Sequence, residues 1–255
     1  MCRALVIIGL VVSAACASRA SDRVAEARPR AEAAMRARFL EAGVAYPARS
    51  LVVRVFKDED RVELWAADAP ERAHVVVARW PVCARSGELG PKRQKGDLQV
   101  PEGFYVVDRM NPRSNFHLSL GVDYPNAADR IAARGLHEGA LGGDIFIHGA
   151  CVTIGCVPIE NDAIEELYIA VKDARAKGAP TVEVQIYPAR LDDQGLSRLI
   201  ARVGERDPRV PLWRNLAEGE RVFSTTKRPL KPTVDERGRY VFERRAAPAS
   251  ASAVR

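Results

Sequence analysis

The run Ile147-His148-Gly149-Ala150-Cys151-Val152-Thr153-Ile154-Gly155-Cys156-Val157 puts a histidine at the end of a short apolar stretch, a small loop after it, and a cysteine directly behind a glycine. Cysteine is a good nucleophile only as the thiolate, and the free thiol titrates near about pH 8.5. An imidazole within reach takes the proton as the sulfur attacks. Eight positions separate His148 from Cys156, a span that a tight loop folds back on itself. Gly155 permits close approach of a substrate carbonyl. The amides of Gly155 and Cys156 can then face the oxygen of a tetrahedral intermediate, and such donors supply roughly 3–4 kcal/mol each. These residue types in this order predict covalent catalysis by Cys156, with His148 as general base and no cofactor. Two other readings use the same residues. Cys156 could be a buried structural thiol. Alternatively, His148, Cys151 and Cys156 could join His137 around zinc, although the spacing matches no common finger.

Outward from this run the chain reads as strands interrupted by a few helices. Asp144 to His148 is a short strand. Glu160 to Lys177 is a helix with Ile164, Leu167, Tyr168, Val171 and Ala174 on one face and Gly178 ending it. Thr181 to Tyr187 is a strand, Gln194 to Val203 a short helix, and Pro211 to Ala217 another, anchored by Trp213. Upstream, Leu51 to Phe56, Arg61 to Trp65 and His74 to Trp80 alternate or are valine-rich, with Lys57-Asp58-Glu59-Asp60 as the first turn of a meander. Arg85 to Gln99 is a loop dense in Gly, Lys and Arg. Phe104 to Asp108 and Phe116 to Val122 are further strands, and Asn111-Pro112-Arg113-Ser114 signals the turn between them. Tyr124 to Gly143 is irregular, with a short helix near Ala127 to Ala133.

Single residues in these segments carry plain readings as well. His117 is by default a strand-surface residue, and Tyr124, Pro125 and Asn126 form a turn. Asp129 pairs with Arg130 or Arg134 on a solvated face. An N-terminal helix occupies 21–46, capped by Ser21, with Met35, Phe39 and Ala42 on one face and Pro29 kinking it or delaying its start. The sum is a β-rich α+β fold. Residues 50–190 form the catalytic domain, 191–245 an extension that packs on it, including the extended piece Tyr240-Val241-Phe242, and 246–255 a disordered tail.

The first residues point to export. Arg3 supplies a positive charge, Leu5 to Val12 an apolar run, and Ser13 to Ala17 a small-residue cleavage region, so 1–17 reads as a signal peptide. The apolar run is shorter than the roughly 20 residues that span a bilayer. Cys16 offers a second possibility, a lipoprotein site, with Ser13 where such sites usually carry Leu. Membrane attachment is expected only if Cys16 is lipidated, and the location is the periplasm or cell envelope. After cleavage, Cys83, Cys151 and Cys156 remain, an odd number that leaves at least one free thiol in an oxidising compartment. Cys151 can be a disulfide partner of Cys83, a packing residue or a redox guard for Cys156. The net charge of +6 without basic runs interleaved with aromatics argues against nucleic acid as a partner.

The central run resembles the catalytic motif of the L,D-transpeptidase (YkuD-type) family, whose core is His-Gly, a spacer, then Ser/Thr-x-Gly-Cys. Here it is His148-Gly149 and Thr153-Ile154-Gly155-Cys156. The short spacer with Cys151 inside it looks like the YafK-like branch. Gly96-Asp97 followed by Val100-Pro101-Glu102-Gly103-Phe104-Tyr105 is similar to the family's Thr-Pro-x-Gly segment, with Val100 in place of Thr. Phe116-His117-Leu118-Ser119-Leu120, Tyr124-Pro125-Asn126 and Asp129-Arg130 resemble its substrate-side segment.

The resemblance implies a β-rich catalytic domain with an N-terminal helix and flanking helices, acting on peptidoglycan stem peptides. It implies an acyl-enzyme on Cys156 formed at diaminopimelate and passed to an amine acceptor or to water. It further implies that the main-chain carbonyl of Gly149 orients His148, that the Gly155 amide lines the oxyanion hole, and that Thr153, His117, Tyr124 and Asn126 contact substrate. One position departs from the pattern. Many members carry Arg or Asn two residues after the cysteine, where this chain has Pro158.

Overall fold

Valine-rich and alternating runs build one mixed sheet, and segments with a 3.6-residue apolar period lie across its faces. In the computed structural model, which describes residues 22–243, the chain begins with α1 (Arg23–Glu41), β1 (Ser50–Phe56), β2 (Arg61–Ala67) and β3 (Val75–Pro81). It continues through β4 (Gly103–Ser114), β5 (His117–Val122), α2 (Ala127–Ala132), β6 (Ile145–His148), β7 (Val157–Pro158) and α3 (Asn161–Ala176). Then come β8 (Glu183–Tyr187), α4 (Asp193–Val203), α5 (Val210–Thr226), β9 (Thr233–Val234) and β10 (Tyr240–Val241). The signal segment 1–17 with Cys16, the Ser21 cap and the tail 246–255 lie outside the described residues.

Eight strands form the sheet in the order β3-β2-β1-β8-β4-β5-β6-β7, and β9 pairs with β10 separately. Two of the sheet's contacts are parallel, β1 with β8 and β6 with β7. Every residue of β1 is buried, as expected of a strand covered on both faces. Leu51, Val53 and Val55 point into a core shared with Met35 and Phe39 of α1 and Ile164 and Leu167 of α3. Phe56 points the other way, into a second core with Leu199 of α4 and Trp213 and Leu216 of α5. This is the β-rich α+β class that the periodicity predicts.

Several local expectations change. Asp22 caps α1, accepting from the N–H groups of Val24 and Ala25, and the helix runs on through Pro29. The Asn111–Ser114 turn is strand instead. β4 continues to Ser114, and its register with β5 slips between Val107 and Met110 and between Asn111 and Ser114. Pro112 lies within the second irregularity, where a missing ladder donor costs little. α5 extends to Thr226 because Glu220 and Phe223 are buried against the sheet. Asp129 is buried inside the fold rather than solvated. It completes a capping box with Asn126, accepts from the Tyr105 hydroxyl at 3.1 Å, and burial raises its carboxyl to about 6.

Candidate active site

The site is built on the short parallel pair β6–β7, whose register sets Ile147 opposite Val157 and His148 opposite Pro158. Cys156 lies immediately before β7, so the ladder brings it beside Phe146. From there to His148 is two residues, about 7 Å along a strand. The histidine backbone is tied on both sides: the N–H of Gly149 donates to the carbonyl of Leu118, and the N–H of Ile159 donates to the carbonyl of His148. The imidazole is buried. Its Nδ1–H donates to the Gly149 carbonyl at 2.6 Å, which leaves Nε2 as the nitrogen able to accept a proton. The ring of Phe116 lies against it, with centroids 4.8 Å apart.

Cys156 is half-buried and its sulfur is free. The thiol donates to the Asp144 carbonyl at 3.6 Å, so the imidazole is close in register but is not the thiol's hydrogen-bond partner in this arrangement. Burial raises the thiol above its ordinary pKa, opposed by the N–H of Phe146. Burial lowers His148 below the ordinary imidazole value, opposed by the Gly149 carbonyl. Both shifts favour a neutral thiol beside a neutral imidazole over a thiolate–imidazolium pair.

Thr153 shapes the loop in front of the cysteine. Its Oγ1 accepts from the N–H of Gly155 at 3.1 Å and of Cys156 at 2.8 Å, and donates to the Cys156 carbonyl at 2.9 Å. The Thr153 hydroxyl thus holds the loop that presents Cys156. The two amides expected to face an oxyanion share their protons with it. Gly155 has φ +135°, and a Cβ there would meet the Gln99 carbonyl at 3.1 Å, so other residues are strained at this corner.

Three expected substrate contacts are occupied elsewhere. His117 Nε2 meets Glu165 Oε1 of α3 at 2.7 Å. Tyr124 is buried, with its hydroxyl donating to the Lys92 carbonyl at 3.3 Å. Asn126 caps α2, and its Nδ2 donates to the Phe104 carbonyl and the Tyr240 hydroxyl, each at 2.9 Å. None of the three lines the open cleft beside Cys156. The wall of the open cleft beside Cys156 includes Lys57, Asp58, Asp60, Arg85 and Arg202. None of these was singled out from the sequence, because they come from the first turn, the long loop and α4. Pro158 is buried in β7, and its carbonyl accepts from the N–H of Cys83.

Cys83 and Cys151 form a disulfide with Cα atoms 5.3 Å apart. It resolves the three roles open to Cys151 and withdraws that sulfur from any set of zinc ligands. The bond closes a segment of 68 residues and pins the loop between His148 and Cys156 to the end of β3. Replacing both cysteines with serine is expected to cost about 2–4 kcal/mol of stability, most of it through the unfolded chain. Urea unfolding of the double variant measures this, and a loss below about 1 kcal/mol would contradict it.

The profile of the YkuD family, described as the L,D-transpeptidase catalytic domain, matches residues 51–186. YafK of Escherichia coli (strain K12), whose name as an L,D-transpeptidase is provisional, is 33% identical over 195 residues, 75% of this chain and 73% of YafK. Among solved structures, the helical cell shape determining protein Pgp2 of Campylobacter jejuni is 17% identical over 80% of this chain and 82% of its own, with a TM-score of 0.42. An L,D-transpeptidase from Xylanimonas cellulosilytica is 20% identical over 58% of this chain and 67% of its own, with a TM-score of 0.30. These two overlays are too loose to bear on the site.

Proposed function

Because the chain belongs to the YkuD family of L,D-transpeptidase catalytic domains, we propose that it forms an acyl-enzyme on Cys156 with a peptidoglycan stem peptide and passes the acyl group to an amine. The observation that carries this reading is a free thiol on an open cleft lined by charged side chains, on the strand pair that also carries, two positions along, a histidine whose Nδ1–H is held and whose Nε2 is left to accept. The thiol turns from the Asp144 carbonyl to Nε2 and gives up its proton. The sulfur attacks the carbonyl carbon of diaminopimelate, and the bond to the following D-residue breaks. His148 returns the proton to the departing amine. An incoming amine then attacks the thioester, loses its proton to His148 and releases Cys156. The neutral resting pair suits this sequence, since His148 serves as base only when unprotonated.

The cleft also fits a substrate with free carboxylates and amines, because both charge signs line it. The Lys57 ammonium is taken up by Glu102 and two carbonyls, whereas the Arg202 guanidinium meets Asp58 at 3.5 Å on the surface. Arg202 is therefore the better cation for a stem carboxylate. Pro158, buried where many relatives carry Arg or Asn, supports a second reading in which water takes the acyl group and the enzyme hydrolyses the same bond. The reading of residues 1–17 as an export signal supports the cell envelope as the location of either activity. Incubation with a tetrapeptide stem, with and without an amine acceptor, separates the two. Mass spectrometry should find an adduct on Cys156, and the products distinguish transfer from hydrolysis. No adduct under either condition would refute both.

The acid limb of kcat/KM should follow His148. Protonation removes the base, and burial holds its pKa below the ordinary value. The rate should therefore persist below about pH 6.5, the titration point of a free imidazole, and fall only as pH drops through the lowered pKa. A limb at or above pH 6.5 would contradict the burial argument.

A further inference from the structure

We propose that Asn161 is a positioning residue that orients His148 through the peptide group joining Gly149 to Ala150. This rests on the reading of His148 as the base for Cys156. The peptide is held at both ends. Its carbonyl, that of Gly149, accepts from His148 Nδ1 at 2.6 Å. Its N–H, that of Ala150, donates to Asn161 Oδ1 at 2.9 Å. A peptide unit is planar, so the direction of the N–H sets the direction of the carbonyl. Any rotation of the plane that releases Asn161 also turns the carbonyl away from the imidazole.

The local chain does not favour this conformation by itself. Ala150 sits at φ +57°, a left-handed geometry that costs an L-residue roughly 1–2 kcal/mol. An outside partner is needed to hold it, and Asn161 stands in the right place. It is the first residue of α3, a helix whose Ile164 and Leu167 are fully buried, so its acceptor is mounted on a rigid element. The approach is close: a Cβ on Gly149 would lie 2.7 Å from Asn161 Oδ1 and 2.9 Å from His117 Cβ. Glycine at 149 thus makes room for the asparagine. With the carbonyl fixed, the proton stays on Nδ1 and Nε2 stays open to the thiol. Asn161 thereby reaches the base without touching it or the substrate.

The test compares Asn161→Ala and Asn161→Asp in the full chain. Imidazole nitrogen NMR without substrate reads the His148 tautomer and its titration, and steady-state kinetics are measured alongside. Asn161→Ala should populate the Nε2–H tautomer and lower kcat by about 10–100-fold with little change in KM, the scale on which partners behind a working histidine act. Asn161→Asp retains an acceptor, so it should keep the Nδ1–H tautomer, recover most of kcat and shift the acid limb upward through its added negative charge. Asn161 is exposed, and melting temperatures of the variants check that they stay folded. If Asn161→Ala does not fold, Gly149→Ala, whose methyl displaces the asparagine, should give the same tautomer change. A wild-type tautomer and acid limb in Asn161→Ala, or an Asn161→Asp as impaired as the alanine variant, would overturn the proposal. The NMR result stands apart from the chemistry: full activity in Cys156→Ala would overturn the acyl-enzyme instead and leave the tautomer measurement readable.

Discussion

Cys156→Ala is expected to abolish the stem-peptide adduct and lower turnover by about 10⁶-fold, the cost of removing a nucleophile that acts as a unit with its base. Stability should hardly move. The side chain is half-buried, its sulfur meets only the Asp144 carbonyl, at long range, and the Phe146 N–H, and it is outside the Cys83–Cys151 bridge. The variant therefore separates chemistry from folding. Cys156→Ser keeps the shape but places a hydroxyl, a far weaker acid, before the same imidazole, and should also be nearly inactive. Product release followed by chromatography gives the rate, and thermal unfolding confirms the fold. If Cys156→Ala retained full biological function, a module that only binds peptidoglycan would become the better account.

Glu220→Ala should be the most damaging change to stability far from the site, at about 3–5 kcal/mol, the cost of leaving one member of a buried ion pair alone. Arg54 on β1 and Glu220 on α5 are almost wholly buried and paired with each other. The guanidinium also donates to Gln185 at 2.9 Å and lies 4.2 Å from the ring centroid of Phe223 and 4.9 Å from that of Phe56. Without Glu220 the positive charge stays in this aromatic cage with neutral acceptors alone, Gln185 and the Tyr187 hydroxyl. A fall in melting temperature of about 6–20 °C corresponds to that loss in a chain of this size. Replacing both partners, Arg54→Met with Glu220→Leu, should recover most of it, because no charge is left to desolvate. A loss below about 1 kcal/mol for the single variant would mean that water reaches the guanidinium. The pair also explains why α5 outruns its sequence reading. Glu218-Gly219-Glu220 looks polar and helix-breaking, yet one of those carboxylates is an interior group.

Periodic elements were legible because their signal is local. The α3 stripe and the alternation of β1, β2 and β8 depend on residues within one segment, and burial follows from them. β7 was not legible: two residues carry no period, and they pair only because β6 lies beside them. Pro112 signalled a turn because its lost donor is harmless only at a bulge, and the bulge depends on β5. At the site, the order His148-Gly149 to Gly155-Cys156 pointed to the family. The Gly149 carbonyl anticipated by resemblance accepts the imidazole proton. The hydrogen bonds of Thr153, His117, Tyr124 and Asn126 were not legible, because their partners come from remote parts of the chain or from the fold of their own loop.

By itself the sequence determined the α+β class, the principal strands and helices, and the motif that marks the family. Those properties reside in nearest-neighbour patterns and in the reactivity of single side chains. Tertiary structure alone decided which of Cys83, Cys151 and Cys156 is free, which cations border the cleft, and that Asn161 bonds the peptide behind the imidazole. A hydrogen bond or a disulfide needs two groups within a few ångströms. Which groups meet is set by how the sheet stacks its strands against α3 and α5, and no single segment contains that information.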